Sequence, residues 1–152
     1  MKNITIKKIK SSEAPFELLL LADPSSEAVN KYLKKGSCFA AFEGGEIVGV
    51  YILISKSTDI LEIINLSVAE EKQNRGIGKL LVADAKRRAK KSRAKKLLVG
   101  TGNSSINQLA FYQKCGFRIS GIKKDFFAKN YKKPIFENSI QCRDMVMFEL
   151  VF

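Results

Sequence analysis

The chain has no histidine among its 152 residues. That excludes a His-based catalytic triad and argues against a zinc centre, structural or catalytic. Cysteine is sparse. Cys38, Cys115 and Cys142 lie without C-x-x-C spacing, and their odd number argues against a disulfide framework. Cys115, beside Gly116 at a helix end, has no histidine to activate it and reads as packing rather than as a nucleophile. No apolar run approaches the roughly 20 residues of a membrane-spanning helix. The opening Met1-Lys2-Asn3-Ile4-Thr5-Ile6 enters strand-like sequence directly and lacks a signal-peptide core, so the expectation is a cytoplasmic protein. No linker, repeat or low-complexity stretch interrupts the chain. Residues 1–152 are therefore expected to form one domain, long enough for a real core.

Acidic charge is also scarce. Against 27 Lys and Arg stand 15 Asp and Glu, a net charge of +12. Such a field suits a polyanionic small molecule, a nucleic acid, or merely a solvated lysine-rich surface. The densest cluster, Lys86 to Lys96, falls on the exposed face and C-terminal end of an expected helix, where the helix dipole favours cations. The stacking aromatics of single-strand binding are not interleaved with it, so nucleic-acid binding ranks last.

Periodicity predicts a strand over Lys2–Ile9, and a helix capped by Ser11 or Ser12 that runs to Leu21. A second helix starts at Pro24-Ser25-Ser26-Glu27 and ends near Lys35, with Gly36 as its C-cap. Strands follow at Ser37–Phe42 and Ile47–Ser55, joined by the turn Glu43-Gly44-Gly45-Glu46. Another strand spans Asp59–Val68, then a helix to about Lys91, a strand over Leu97–Thr101 and a helix over Ser105–Cys115. The closing strands are Arg118–Lys124 and Met145–Phe152, with Lys129–Cys142 expected as a long loop. This order predicts a mixed sheet with helices on both faces.

The most informative segment is Gln73-Asn74-Arg75-Gly76-Ile77-Gly78, between the strand ending at Val68 and the helix bearing Ile77, Leu80, Leu81, Ala85 and Ala89. Glycine permits unusual dihedrals and close backbone approach. A helix start presents unpaired N–H groups and a positive dipole end, which suit phosphate. Taken alone, the segment also fits a structural turn. It matches neither a P-loop nor the three-glycine dinucleotide pattern. A second segment, Asn107-Gln108-Leu109-Ala110-Phe111-Tyr112-Gln113-Lys114-Cys115-Gly116-Phe117, follows the strand over Leu97–Thr101.

With both segments in this order, the chain resembles the GNAT superfamily of N-acetyltransferases, most strongly from about Asp59 to Phe117. The resemblance implies an α/β (α+β) fold with a mixed, mostly antiparallel central sheet. It also implies acetyl-CoA as cosubstrate, an amine as acceptor, and no metal. It assigns Gln73, Asn74, Arg75, Gly76, Ile77, Gly78 and Lys79 to the pyrophosphate, with Arg75 and Lys79 as charge-assisted donors. The Val68 backbone pairs with pantetheine like an added strand, and the Leu66 N–H faces the developing oxyanion. Asn107 hydrogen-bonds pantetheine or pyrophosphate, and Tyr112 protonates the leaving thiolate. Asn103 and Ser105 are read as helix caps. Many relatives are dimers, which leaves a homodimer open.

An alkylammonium acceptor has a pKa near 10.4, so about one molecule in 10³ is neutral at pH 7, a deficit of roughly 4 kcal/mol. A base is therefore useful. Glu62 is the candidate, because strand alternation puts Glu62, Ile64 and Leu66 on one side and the resemblance places a base at this offset. Glu137 is the next candidate. The acceptor side is expected to draw on Tyr32, Asp125, Phe126, Phe127, Tyr131, Phe136, Glu137 and Asn138, carboxylates and aromatics suited to a cationic amine. The competing readings are a non-catalytic acyl-CoA-binding module of the same fold and a basic nucleic-acid-binding domain.

Overall fold

A computed structural model describes residues 3–152, in two units that divide between Lys95 and Lys96. Lys2, expected to open the first strand, lies outside the described residues.

In the first unit, β1 (Ile4–Ile9), β2 (Ser37–Glu43), β3 (Glu46–Ser55) and β4 (Ile60–Val68) pair antiparallel in chain order. Gly44 and Gly45 both have positive φ, 57° and 82°, which gives the β2–β3 hairpin the twist its strands need. Three helices cover this sheet: α1 (Phe16–Ala22), α2 (Ser26–Lys35) and α3 (Ile77–Lys91). Leu19 of α1 and Val29 and Leu33 of α2 pack with Cys38, Val50 and Ile52 on one face. Tyr51 and Gly49 point to the other face, toward α3: a Cβ on Gly49 would lie 3.0 Å from the Leu81 side chain. There the Tyr51 hydroxyl donates to Asp84 Oδ2 at 2.5 Å, and Arg87 and Arg88 each donate to the same carboxylate at 2.7 Å.

Two local expectations change. The segment after β1 is a 3-10 turn, Ser11–Glu13, and α1 starts only at Phe16. Pro15 sits at the cap because it has no N–H to donate and its ring would clash inside a helix. Ser25 caps α2 as expected, accepting from the Ala28 N–H at 3.1 Å. Gly36 ends α2, but with φ −97°, not in the left-handed region. Its glycine is required by space: a Cβ would lie 2.7 Å from the Leu53 carbonyl oxygen.

The second unit is built on β5 (Lys96–Gly102), β6 (Arg118–Lys123) and β9 (Met145–Val151), with β9 antiparallel to both others. α4 (Ile106–Lys114) connects β5 to β6. The expected long loop is in fact structured. A short helix, α5 (Phe126–Asn130), runs into its start, and the loop itself holds a hairpin of β7 (Ile135–Glu137) and β8 (Ile140–Cys142). Asn138 and Ser139 turn this hairpin with φ of 55° and 61°. Strands of three residues carry no readable alternation, and nothing about a serine announces a left-handed dihedral.

Candidate functional site

A bulge in β4 decides which side chains face which way. Ile52 pairs with Asn65 but Leu53 pairs with Ile63, so Ile64 is an extra residue in the ladder. Across the bulge Glu62, Asn65 and Ser67 oppose Ile54, Ile52 and Val50, on the face covered by α1 and α2, where Ile64 also packs. Leu66 and Val68 oppose Tyr51 and Gly49, on the α3 face. The expected shared side for Glu62, Ile64 and Leu66 therefore fails at Leu66. Simple alternation does not survive an inserted residue.

Glu62 is 3% exposed and Lys56 Nζ stands 3.7 Å from its Oε1, which offsets the cost of burying a carboxylate. Asn65, absent from the sequence-based candidates, is 4% exposed. Its Nδ2 donates to the Leu19 carbonyl at 3.0 Å and to the Tyr32 hydroxyl at 2.8 Å. Tyr32 in turn donates to Asp23 Oδ2 at 3.1 Å. Burial, with the Asp23 carboxylate beside it, holds the Tyr32 phenol far above its ordinary pKa. The signal for Asn65 was a polar residue inside an apolar strand, hidden because the bulge obscured its face.

Beyond Val68 the backbone turns through the 3-10 segment Glu70–Lys72 into the glycine segment. Gln73 Nε2 donates back to the Val68 carbonyl at 3.0 Å, tying the turn to the strand. Asn74 and Gly76 both have left-handed dihedrals, φ 64° and 85°. Gly76 caps α3 without any side-chain cap bond, and the helical ladder starts with Leu80 N–H to Gly76 carbonyl at 3.1 Å. The N–H groups of Ile77, Gly78 and Lys79 precede that bond and point out of the helix start. A Cβ at Gly76 would meet nothing within 4 Å, so the ground in front of it is open. Arg75 and Lys79 are exposed here.

In the second unit Tyr112 is 5% exposed on α4, with its ring 5.8 Å from both Phe117 and Phe148 and 5.2 Å from Phe111. Burial pushes its phenol well above the ordinary range. Asn107 is exposed in the first turn of the same helix. Asn103 and Ser105 do not cap α4 with their side chains. Asn103 Oδ1 accepts from the Arg143 and Asp144 N–H groups at 2.8 and 3.0 Å, and its Nδ2 donates to the Gln141 carbonyl at 3.1 Å. Ser104 and Ser105 donate to Glu137 at 3.3 and 2.8 Å, and Asn138 donates to the Ser104 carbonyl at 2.8 Å. These bonds latch the β7–β8 hairpin to the start of α4. Glu137 is thereby engaged in structure. Phe126, Phe127 and Tyr131 pack ring against ring. Among the described residues no group of His, Cys, Asp and Glu could hold a metal ion, and no helix is long and apolar enough to cross a membrane.

The acetyltransferase (GNAT) family profile matches residues 7–117. The chain is 50% identical over 141 residues to YvbK, an uncharacterised N-acetyltransferase of Bacillus subtilis (strain 168), covering 93% of this chain and 91% of that one. Among solved structures it is similar to a GNAT family acetyltransferase from Elizabethkingia anophelis with acetyl-CoA bound, at 46% identity, TM-score 0.97 and full coverage of both chains. It is also similar to a Bacillus subtilis acetyltransferase in complex with CoA, at 48% identity, TM-score 0.91 and 99% coverage of each. The first of these likenesses carries the α/β fold class, and the profile and the 50% identical relative carry the family. The chain belongs to the GNAT family of N-acetyltransferases, enzymes of the acyltransferase class.

Proposed function

We propose that this chain transfers an acetyl group from acetyl-CoA to a primary amine by direct attack. The observation that carries the reading is the start of α3. An uncapped helix end, with Gly76 left-handed and open ground before it, suits a pyrophosphate, and Arg75 and Lys79 add charge. It is supported by two solved relatives, each above 45% identity, that hold acetyl-CoA or CoA.

In this mechanism Glu62 takes a proton from the acceptor nitrogen, and the freed lone pair bonds to the thioester carbonyl carbon. The Leu66 N–H stabilises the resulting oxyanion, a kind of interaction worth about 2.7–4 kcal/mol in acyl transfer. The C–S bond then breaks toward the thiolate, and the nitrogen releases its second proton to solvent to leave a neutral amide. Tyr112, held protonated by burial, donates a hydrogen bond or its proton to the departing sulfur. The Val68 backbone aligns pantetheine, with Asn107 as a further hydrogen-bonding partner. Gln73 and Asn74 shape the turn, whose N–H groups at Ile77, Gly78 and Lys79 hold the pyrophosphate.

The test is free-thiol release from acetyl-CoA against a panel of primary amines, beside thermal unfolding with CoA. Amine-dependent release and a raised melting temperature are expected. A melting shift without turnover on any amine would instead favour the non-catalytic CoA-binding reading.

A further inference from the structure

The polar groups buried on the α1–α2 face of β4 form a chain with a fixed direction. The Leu19 carbonyl can only accept, so the Asn65 amide must turn its nitrogen toward it. The same nitrogen donates to the Tyr32 oxygen, whose own proton goes to Asp23. Both Asn65 N–H bonds are therefore used, and the amide cannot be flipped without setting two acceptors against each other. What remains is Oδ1, a buried oxygen with no hydrogen-bond partner among the described residues. An apolar side chain of the same shape would avoid leaving such an atom unsatisfied.

Glu62 shares this face. Its cross-strand neighbour Ile54 is two residues from Ile52, the neighbour of Asn65, which sets the two side chains about 7 Å apart along the sheet. Asn65 Oδ1 and the Glu62 carboxylate are both hydrogen-bond acceptors. A group that brings several N–H donors to one atom satisfies both, and a primary ammonium brings three.

We propose that Asn65 is an acceptor-binding residue: its Oδ1 receives one N–H of the incoming primary amine while Glu62 receives another. This rests on the primary-amine reading above. Asn65 takes no proton and carries no charge. It fixes the nitrogen's position beside Glu62, and the neutral amine left when Glu62 takes the proton it receives then reorients to turn the freed lone pair toward the thioester. Asp23 and Tyr32 hold the amide in the orientation that leaves Oδ1 free. The product, a secondary amide, retains a single N–H and cannot serve both acceptors, which favours its release.

Two substitutions separate this role from a structural one. Asn65→Leu and Asn65→Asp both delete the N–H donors to Leu19 and Tyr32, but only Asn65→Leu also deletes the acceptor oxygen. With spermidine, lysine methyl ester and phenethylamine as probes, kcat and acceptor KM are read by thiol release, and CoA affinity by calorimetry. Asn65→Leu should raise the acceptor KM roughly 10- to 100-fold, the loss of one hydrogen bond to a charged group, with CoA affinity unchanged. Asn65→Asp sets an oxygen against the Leu19 carbonyl but keeps an acceptor for the amine, so its acceptor KM should stay well below that of Asn65→Leu. Asn65→Ala serves as the second acceptor-free variant should Asn65→Leu not fold. Equal acceptor KM in wild type and the acceptor-free variant, or equal rises in both classes of variant, would overturn the assignment. Failure of the wild type itself to acetylate any probe, while still binding CoA, would overturn the underlying amine reading, and with it this proposal.

Discussion

A carboxylate buried on an apolar sheet needs a reason, and for Glu62 the proposed proton transfer would supply one. Glu62→Gln keeps the shape and removes the proposed base. Turnover should fall most near neutral pH and partly recover at high pH, where the acceptor deprotonates unaided. A pH–rate series on the best amine checks this, and an unchanged profile would move the base elsewhere. Tyr112→Phe removes only a hydroxyl, so CoA affinity should hold while turnover falls by about 10²-fold, the low end of acid–base effects. Asp84 offers a stability test away from the site. Burial alone would raise its pKa, but the hydrogen bonds from Tyr51, Arg88 and Arg87 outweigh burial and the net shift is downward. A depressed carboxylate contributes stability that is present above its unfolded pKa and lost as pH falls through its folded value. Asp84→Asn should therefore lower the melting temperature at neutral pH, and the gap to wild type should narrow below about pH 4. Thermal unfolding across pH measures both arms. At this scale Glu62 and Tyr112 were legible as chemistry-bearing types inside motifs. Asn65 was not, because its importance comes from Leu19 and Tyr32, both more than 30 residues away in sequence.

Element boundaries from about residue 16 to residue 123 agree closely with those read from the sequence, and the start of α3 is the element on which the proposed cofactor site rests. Gly76→Asp strains the left-handed backbone at φ 85°, but less than most substitutions, since Asp visits that region more readily than most residues. It also meets no neighbour, yet it sets a negative charge before the helix end. The melting-temperature rise given by CoA should disappear while the fold persists. An equal rise in mutant and wild type would remove this turn from the cofactor site. Gly36→Ala tests the opposite case, in which space rather than dihedral demands glycine. Its Cβ would press on the Leu53 carbonyl oxygen at 2.7 Å, so a loss of about 1–3 kcal/mol in denaturant unfolding is expected. The β4 bulge and the β7–β8 hairpin were invisible for a shared reason. Each is set by pairing between strands, not by a pattern along one strand.

Over the whole chain the net charge of +12 forms a field that attracts anions of any kind. Part of it is locally compensated: Arg87 and Arg88 bind Asp84, Lys95 lies 3.7 Å from Asp59, and Lys72 lies 2.9 Å from Glu43. Any DNA or RNA binding should therefore be weak, indifferent to sequence and steeply reduced by salt, as fluorescence anisotropy across a salt series would measure. Tight, sequence-selective binding near physiological salt would reverse that ranking. By itself the sequence determined the family, the order of the main strands and helices up to β6, the glycine turn at a helix start, and the absence of histidine chemistry. All of these are carried by residue identity and short-range spacing. Only the tertiary structure decided that an extra residue at Ile64 sends Glu62 and Leu66 to opposite faces of β4. Only it showed that Asn103 latches a hairpin instead of capping a helix, and that Asn65 holds a buried oxygen free. These depend on strand register and on partners distant in sequence, whose positions are fixed only when the chain has folded.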